Sequence, residues 1–167
     1  IKENEALLFY KRGQFLNAFN IFKSIFNQEK NGRHLLGMVK SYYGLSSTER
    51  SQYSKDILSN LEKYTMVYYD FRKELLLAQI ALAHELNETV LYKISKANFF
   101  NIPVKLSREF IKPGLLAPES YTWQGLSDIY NAAKETLGGD ELVLFQLHNY
   151  LELNQLGEAA EFISSNI

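Results

Sequence analysis

Apolar positions recur at three- and four-residue spacing along most of the chain, which predicts helices separated by short polar or glycine turns. Ala6, Phe9 and Tyr10 share one helix face while Lys11 and Arg12 turn toward water. Gly13 interrupts the pattern, and Phe15, Ala18, Phe19, Phe22, Ile25 and Phe26 then repeat it, a stripe wide enough to face a core. Two such helices joined by one tight turn must lie antiparallel.

The same spacing continues downstream. A polar loop at 27–32 precedes a helix from Arg33 carrying Leu35, Leu36, Val39 and Tyr43, with Gly37 as its small residue and Gly44 as a stop. Ser46 with Glu49 forms a capping-box pattern that opens a helix through Tyr53, Ile57, Leu58 and Leu61. Residues 64–69, YTMVYY, read as a helix end and a packed connection, and Asp70 as the cap of a helix from Phe71 to Leu86. That helix is apolar nearly all round, so it is predicted to lie in the middle of the stack. Another follows over about Asn87 to Asn98, after a turn without glycine. Residues 99–118 hold Pro103, Pro113 and Pro118, which predicts an irregular segment with a short helix near Leu106 to Ile111. Helices are then predicted over Glu119 to Leu137, Glu141 to about Asn154 and Gly157 to Ser164, with Gly138 and Gly139 between the first two.

The order of small and large residues in the first hairpin, Ala6, Phe9, Gly13, Phe15, Ala18, Phe22 and Ile25, resembles a tetratricopeptide repeat. The match covers about 25 residues and lacks the tryptophan and terminal proline of that pattern. The last pair of helices repeats the order with Leu147, Tyr150, Leu156, Ala159 and Ile163, and Ala18 to Ala159 is 141 residues, close to four periods of about 34. Val90, Ile94 and Ala97 occupy the packing stations of a second helix, with Ala78 as the small residue of its partner. The fold this implies is all-α: antiparallel hairpins stacked as a short superhelix, one domain over residues 1–167. Both ends fall inside the pattern, which leaves open whether the array is longer.

The resemblance also implies a concave groove lined by first helices. Its stations match Leu7, Tyr10 and Lys11; His34, Met38, Ser41 and Tyr42; Leu75, Gln79, Leu82 and Ala83; and Leu144, His148, Leu151 and Glu152. Tyr10, Lys11, His34, Met38, Tyr42, Gln79, His148 and Glu152 are the candidate partner-binding residues, because aromatic, amide and imidazole groups suit an extended peptide. The expected function is non-catalytic: an adaptor, chaperone or scaffold holding a peptide or helix of another protein. The alternatives are self-association as a homodimer through the aromatic surplus and, below that, an enzyme on a helical bundle.

Composition narrows the classes. Hydrophobic residues at 46% exclude disorder, and 18 basic against 19 acidic residues give no basic footprint for nucleic acid. No apolar run is long enough for a membrane span. The absence of cysteine removes disulfides, thiolate metal sites and cysteine nucleophiles without fixing a compartment, the cytoplasm being slightly favoured. His34, His84 and His148 fall on separate helices without ligand spacing, so neither metal nor cofactor is expected, and His84 reads as a core residue. Nucleotide-binding and nucleophile motifs are missing. Trp123 reads as core, Tyr64, Tyr68, Tyr69 and Phe71 as either an exposed patch or inter-helix core, and Asn87-Glu88-Thr89 as a formal glycosylation acceptor.

Overall fold

The computed structural model describes residues 2–68, 71–102, 128–152 and 155–166, without the Glu152 side chain. Among these the chain is all-helical, with no strand. The helices are α1 (Lys2–Lys11), α2 (Phe15–Gln28), α3 (Gly32–Gly44), α4 (Ser47–Tyr64), α5 (Arg72–Glu85), α6 (Thr89–Phe100), α7 (128–134), α8 (Gly139–Glu152) and α9 (Leu156–Asn166). Asp70, Tyr69, the prolines, the helix near Leu106 and Trp123 fall outside the described residues.

Local chemistry sets the boundaries. Gly13 takes a positive φ of 76° between α1 and α2, a conformation that costs glycine nothing. Asn31 caps α3, its side chain accepting from the Arg33 N–H at 2.8 Å. Ser46 and Glu49 form the full capping box on α4. The turn into α6 lacks glycine because Asn87 itself adopts φ 60°, the left-handed region that asparagine tolerates better than most residues.

Gly44 ends α3 for a reason other than a left-handed stop: the Phe15 ring lies where its Cβ would be. Gly37 likewise admits the Phe22 ring, and an added Cβ would sit 2.6 Å from it. These glycines let α2 and α3 approach closely, and that is the most extensive helix pairing together with α1 on α2.

Two layers emerge from the side-chain contacts. In one, Arg33 of α3 grips the Glu3 carboxylate of α1 at 2.7 and 3.0 Å, and α3 in turn touches α5. In the other, Phe19 and Phe26 of α2 meet Tyr53 and Tyr64 of α4 at ring separations of 4.7 and 5.5 Å. Tyr64 and Tyr68 therefore belong to the packing between helices and do not form a free patch. The two layers share one core, which makes α5 buried continuously from Leu75 to Ala83.

The second half joins this core through α6, α7 and α8. Phe99 of α6 packs on Phe145 of α8 at 5.5 Å, Tyr130 of α7 stacks on the same ring at 4.8 Å, and the Tyr92 hydroxyl of α6 donates to the Thr136 carbonyl at 2.7 Å. Ile129 and Ala133 of α7 are fully buried. Lys96 of α6 is tied to Glu141 of α8 at 2.9 Å.

One expected register is overturned. Val90, Ile94 and Ala97 of α6 point outward, while Leu91, Ser95 and Phe99 face the core. Ser95 is fully buried because its hydroxyl donates to the Leu91 carbonyl at 2.6 Å, one turn back, and so needs no water. His84 differs too: it is exposed at the end of α5, its ring 5.2 Å from Tyr92.

Candidate functional site

The outward turn of α6 makes a site. Val90 is 72% exposed and Ile94 50%, one turn apart on the same side of the helix. Opposite them, Leu58 of α4 completes the wall, and Leu86 and Leu91 form the floor beside the α5–α6 turn. The result is an open trough of about 530 Å³ between α4 and α6. Lys55 and Glu62 of α4 and Glu88, just before α6, stand on its rim. Apolar walls with a mixed-charge rim suit an amphipathic segment more than a small polar metabolite.

The residues expected to line a groove lie elsewhere and are mostly covered. His34, Met38, Ser41 and Tyr42 form one stripe on α3 and are all buried, as are Gln79, Leu75, Leu82 and Ala83 on α5. Tyr10 is buried at the end of α1, whereas Lys11 beside it is exposed. His148 is half-buried on α8, its Nε2 3.3 Å from the Ile102 carbonyl and its ring against Phe99. The side chain of Glu152 is outside the described set. Tyr10, His34, Met38, Tyr42 and Gln79 are thus all buried on α1, α3 and α5, and His148 lies on α8.

Electrostatics follow from that burial. Burial, helped by the nearby Asp128 carboxylate of α7, pushes the Tyr10 hydroxyl up to about 12. Tyr42 is likewise pushed up to about 12, by burial and by the Glu85 carboxylate, against the opposing pull of Arg50 and the Ser54 hydroxyl. Tyr43 moves up for the same leading reason, with Tyr42 and Glu85 adding to it. These are hydroxyls held neutral at ordinary pH, where they do not act as bases.

At the other end of α3, His34 Nε2 is 3.8 Å from the Glu3 carboxylate that Arg33 already holds. A shallow cleft of about 280 Å³ opens there, and the cluster ties α1 to α3. His34, His84 and His148 sit on α3, α5 and α8, and among the described residues no group of three or more His, Cys, Asp or Glu is placed to hold a metal ion. No described helix is long and apolar enough to cross a membrane.

Comparison with protein-family models, with curated proteins and with solved structures finds no match. The trough was missed in the sequence because Val90 and Ile94 have the spacing of a core stripe. The signal that would have found it is a second apolar stripe on the same short helix, Leu91 and Phe99, which competes for the core.

Proposed function

We propose that the chain is a non-catalytic protein-interaction module that takes an amphipathic helix of a partner protein into the trough between α4 and α6. The observation that carries this reading is the pair Val90 and Ile94, large apolar side chains turned to water beside Leu58. A partner helix with apolar residues at three- and four-residue spacing would cover them and leave its own charges to meet Lys55, Glu62 and Glu88. The stack is read as tetratricopeptide-like, supported by the full burial of its small residues Ala6 and Ala18, by the close approach of Phe22 to Gly37 and by its alternating layers.

The test places a photo-crosslinking amino acid at Val90 and, as a control, at exposed Lys63. Irradiation in native extract is expected to give an adduct at 90 and none at 63, with the cross-linked peptide amphipathic. Ile94→Glu introduced beside the crosslinker should abolish it. An adduct that survives Ile94→Glu, or equal labelling at both positions, refutes the trough as the site.

A second reading is self-association, favoured by the exposed Leu156 and Ile163 on α9. Light scattering separates the two: a dimer that Ile163→Glu converts to monomer, with Ile94→Glu without effect, selects self-association.

A further inference from the structure

The trough between α4 and α6 suits an amphipathic helix, and the chain carries one whose outer side is unused. In α9, Leu156, Ala160 and Ile163 recur at four- and three-residue spacing along one stripe, and all three are exposed, Leu156 at 52% and Ile163 at 42%. The inner side of the same helix is already occupied: Ala159 is buried, and the Phe162 ring lies 5.6 Å from Tyr150 of α8. Seated on α8, α9 contributes no residue to the lining of its own chain's trough. Its outer stripe is therefore open to another molecule.

Length and charge also agree. Lys55 and Glu62 are the first and last α4 residues along the trough, two turns or about 10.5 Å apart, and Leu156 to Ile163 spans the same two turns. At about 100° per residue, Glu158 and Glu161 lie about 140–160° from the middle of the stripe, with Gly157 and Ser164 on its flank. No acidic side chain of α9 then enters between Glu62 and Glu88 on the rim. The helix ends favour one direction. The carbonyl end of α9 beside Lys55 and its amide end beside Glu62 bring opposite charges together, which runs α9 antiparallel to α4.

We propose that the trough is filled by α9 of a second copy of this chain. The proposal rests on the reading of the trough as a helix site and names its occupant. Trough and stripe are different surfaces of one molecule, so the contact is heterologous: each copy accepts one α9 and offers another, which builds a ring or an open filament. One helix in one trough is a small interface, so copies exchange readily and assemble at micromolar or higher concentration. An amphipathic helix from another protein then competes with the chain for its trough, making assembly and partner binding mutually exclusive.

Light scattering on the purified chain over about 5–500 µM is the first test. The native mass is expected to rise past twice the monomer, and Ile94→Glu and Ile163→Glu should each stay monomeric. Both residues are exposed, so neither charge enters the core. Val90→Glu and Leu156→Glu replace them should circular dichroism show either chain unfolded. The deciding sample is an equimolar mixture of the two variants. Each keeps one intact surface, so α9 of the Ile94→Glu chain fits the trough of the Ile163→Glu chain, and the mixture should double in mass and go no further. A native chain that stays monomeric, a mixture that does not assemble, or a dimer broken by Ile163→Glu alone overturns the proposal. A photo-crosslinker at Val90 separates that failure from failure of the trough itself. In the purified chain its adduct should map to 156–166 of a second copy. An adduct lost with Ile94→Glu but formed only in extract, with another protein, overturns the second copy and keeps the trough as a helix site; no such adduct in either sample removes both.

Discussion

Gly37→Ala tests the close approach on which the α2–α3 pairing depends. An added Cβ would lie 2.6 Å from two carbons of the Phe22 ring and 2.8 Å from a third, where ordinary contacts begin at 3.4 Å, so the ring must retreat by about 0.6–0.8 Å. Phe22 is buried in the core, so its ring has to move against packed neighbours. Overpacking of this kind costs about 1–3 kcal/mol. Opposing it, alanine in a helix interior is favoured over glycine by about 1 kcal/mol. The net expectation is a loss of about 1 kcal/mol, or a Tm lowered by about 2–4 °C in a chain of this size. Urea unfolding followed by far-UV circular dichroism measures it, in the native background and with Phe22→Ala. With the ring gone only the helix preference remains, so Gly37→Ala should then stabilise, and the cycle should show about 1–3 kcal/mol of coupling. If Gly37→Ala stabilises the native chain by about 1 kcal/mol and the coupling vanishes, the two helices do not approach as described.

Two further outcomes follow from the structure. In the unfolded chain tyrosine ionises near 10, whereas folded Tyr10 and Tyr42 hold their protons to about 12, so their stabilisation is complete below pH 10 and is lost as pH rises from 10 to 12. Urea midpoints between pH 9 and 11.5 should fall, and less steeply in Tyr10→Phe and Tyr42→Phe; equal slopes in all three chains would remove the burial argument. At Asn87, φ 60° makes Asn87→Ala cost about 1 kcal/mol while Asn87→Gly costs nothing, which thermal melts distinguish, and an Ala variant as stable as native contradicts the left-handed turn.

Much of the helical layout was readable in the sequence because local chemistry decides it. Gly13, the Ser46–Glu49 box and the stripe from Phe15 to Phe26 each act within a few residues, and the structure has them where the pattern put them. Side-chain direction on α6 was not readable. Val90 and Ile94 compete with Leu91 and Phe99, and the tie is broken by a serine that buries itself through its own helix backbone. Nor could spacing show that the stripe from His34 to Tyr42 is covered. The helices that pack on α3 are α2, α4 and α5, the last of them separated from it in sequence by the whole of α4. Local periodicity carries no information about such a return.

The bonds from α6 to Thr136 and Glu141 change how the chain should come apart. An open row of hairpins frays from whichever end is weaker, and its stability is a sum of neighbouring terms. Here Tyr92 and Lys96 hold residues 44 and 45 positions later, so that stretch is fastened like a belt through its buckle. Trimming α8 would then loosen α6, and the two would lose their independence as units that evolution or an engineer could add and remove singly.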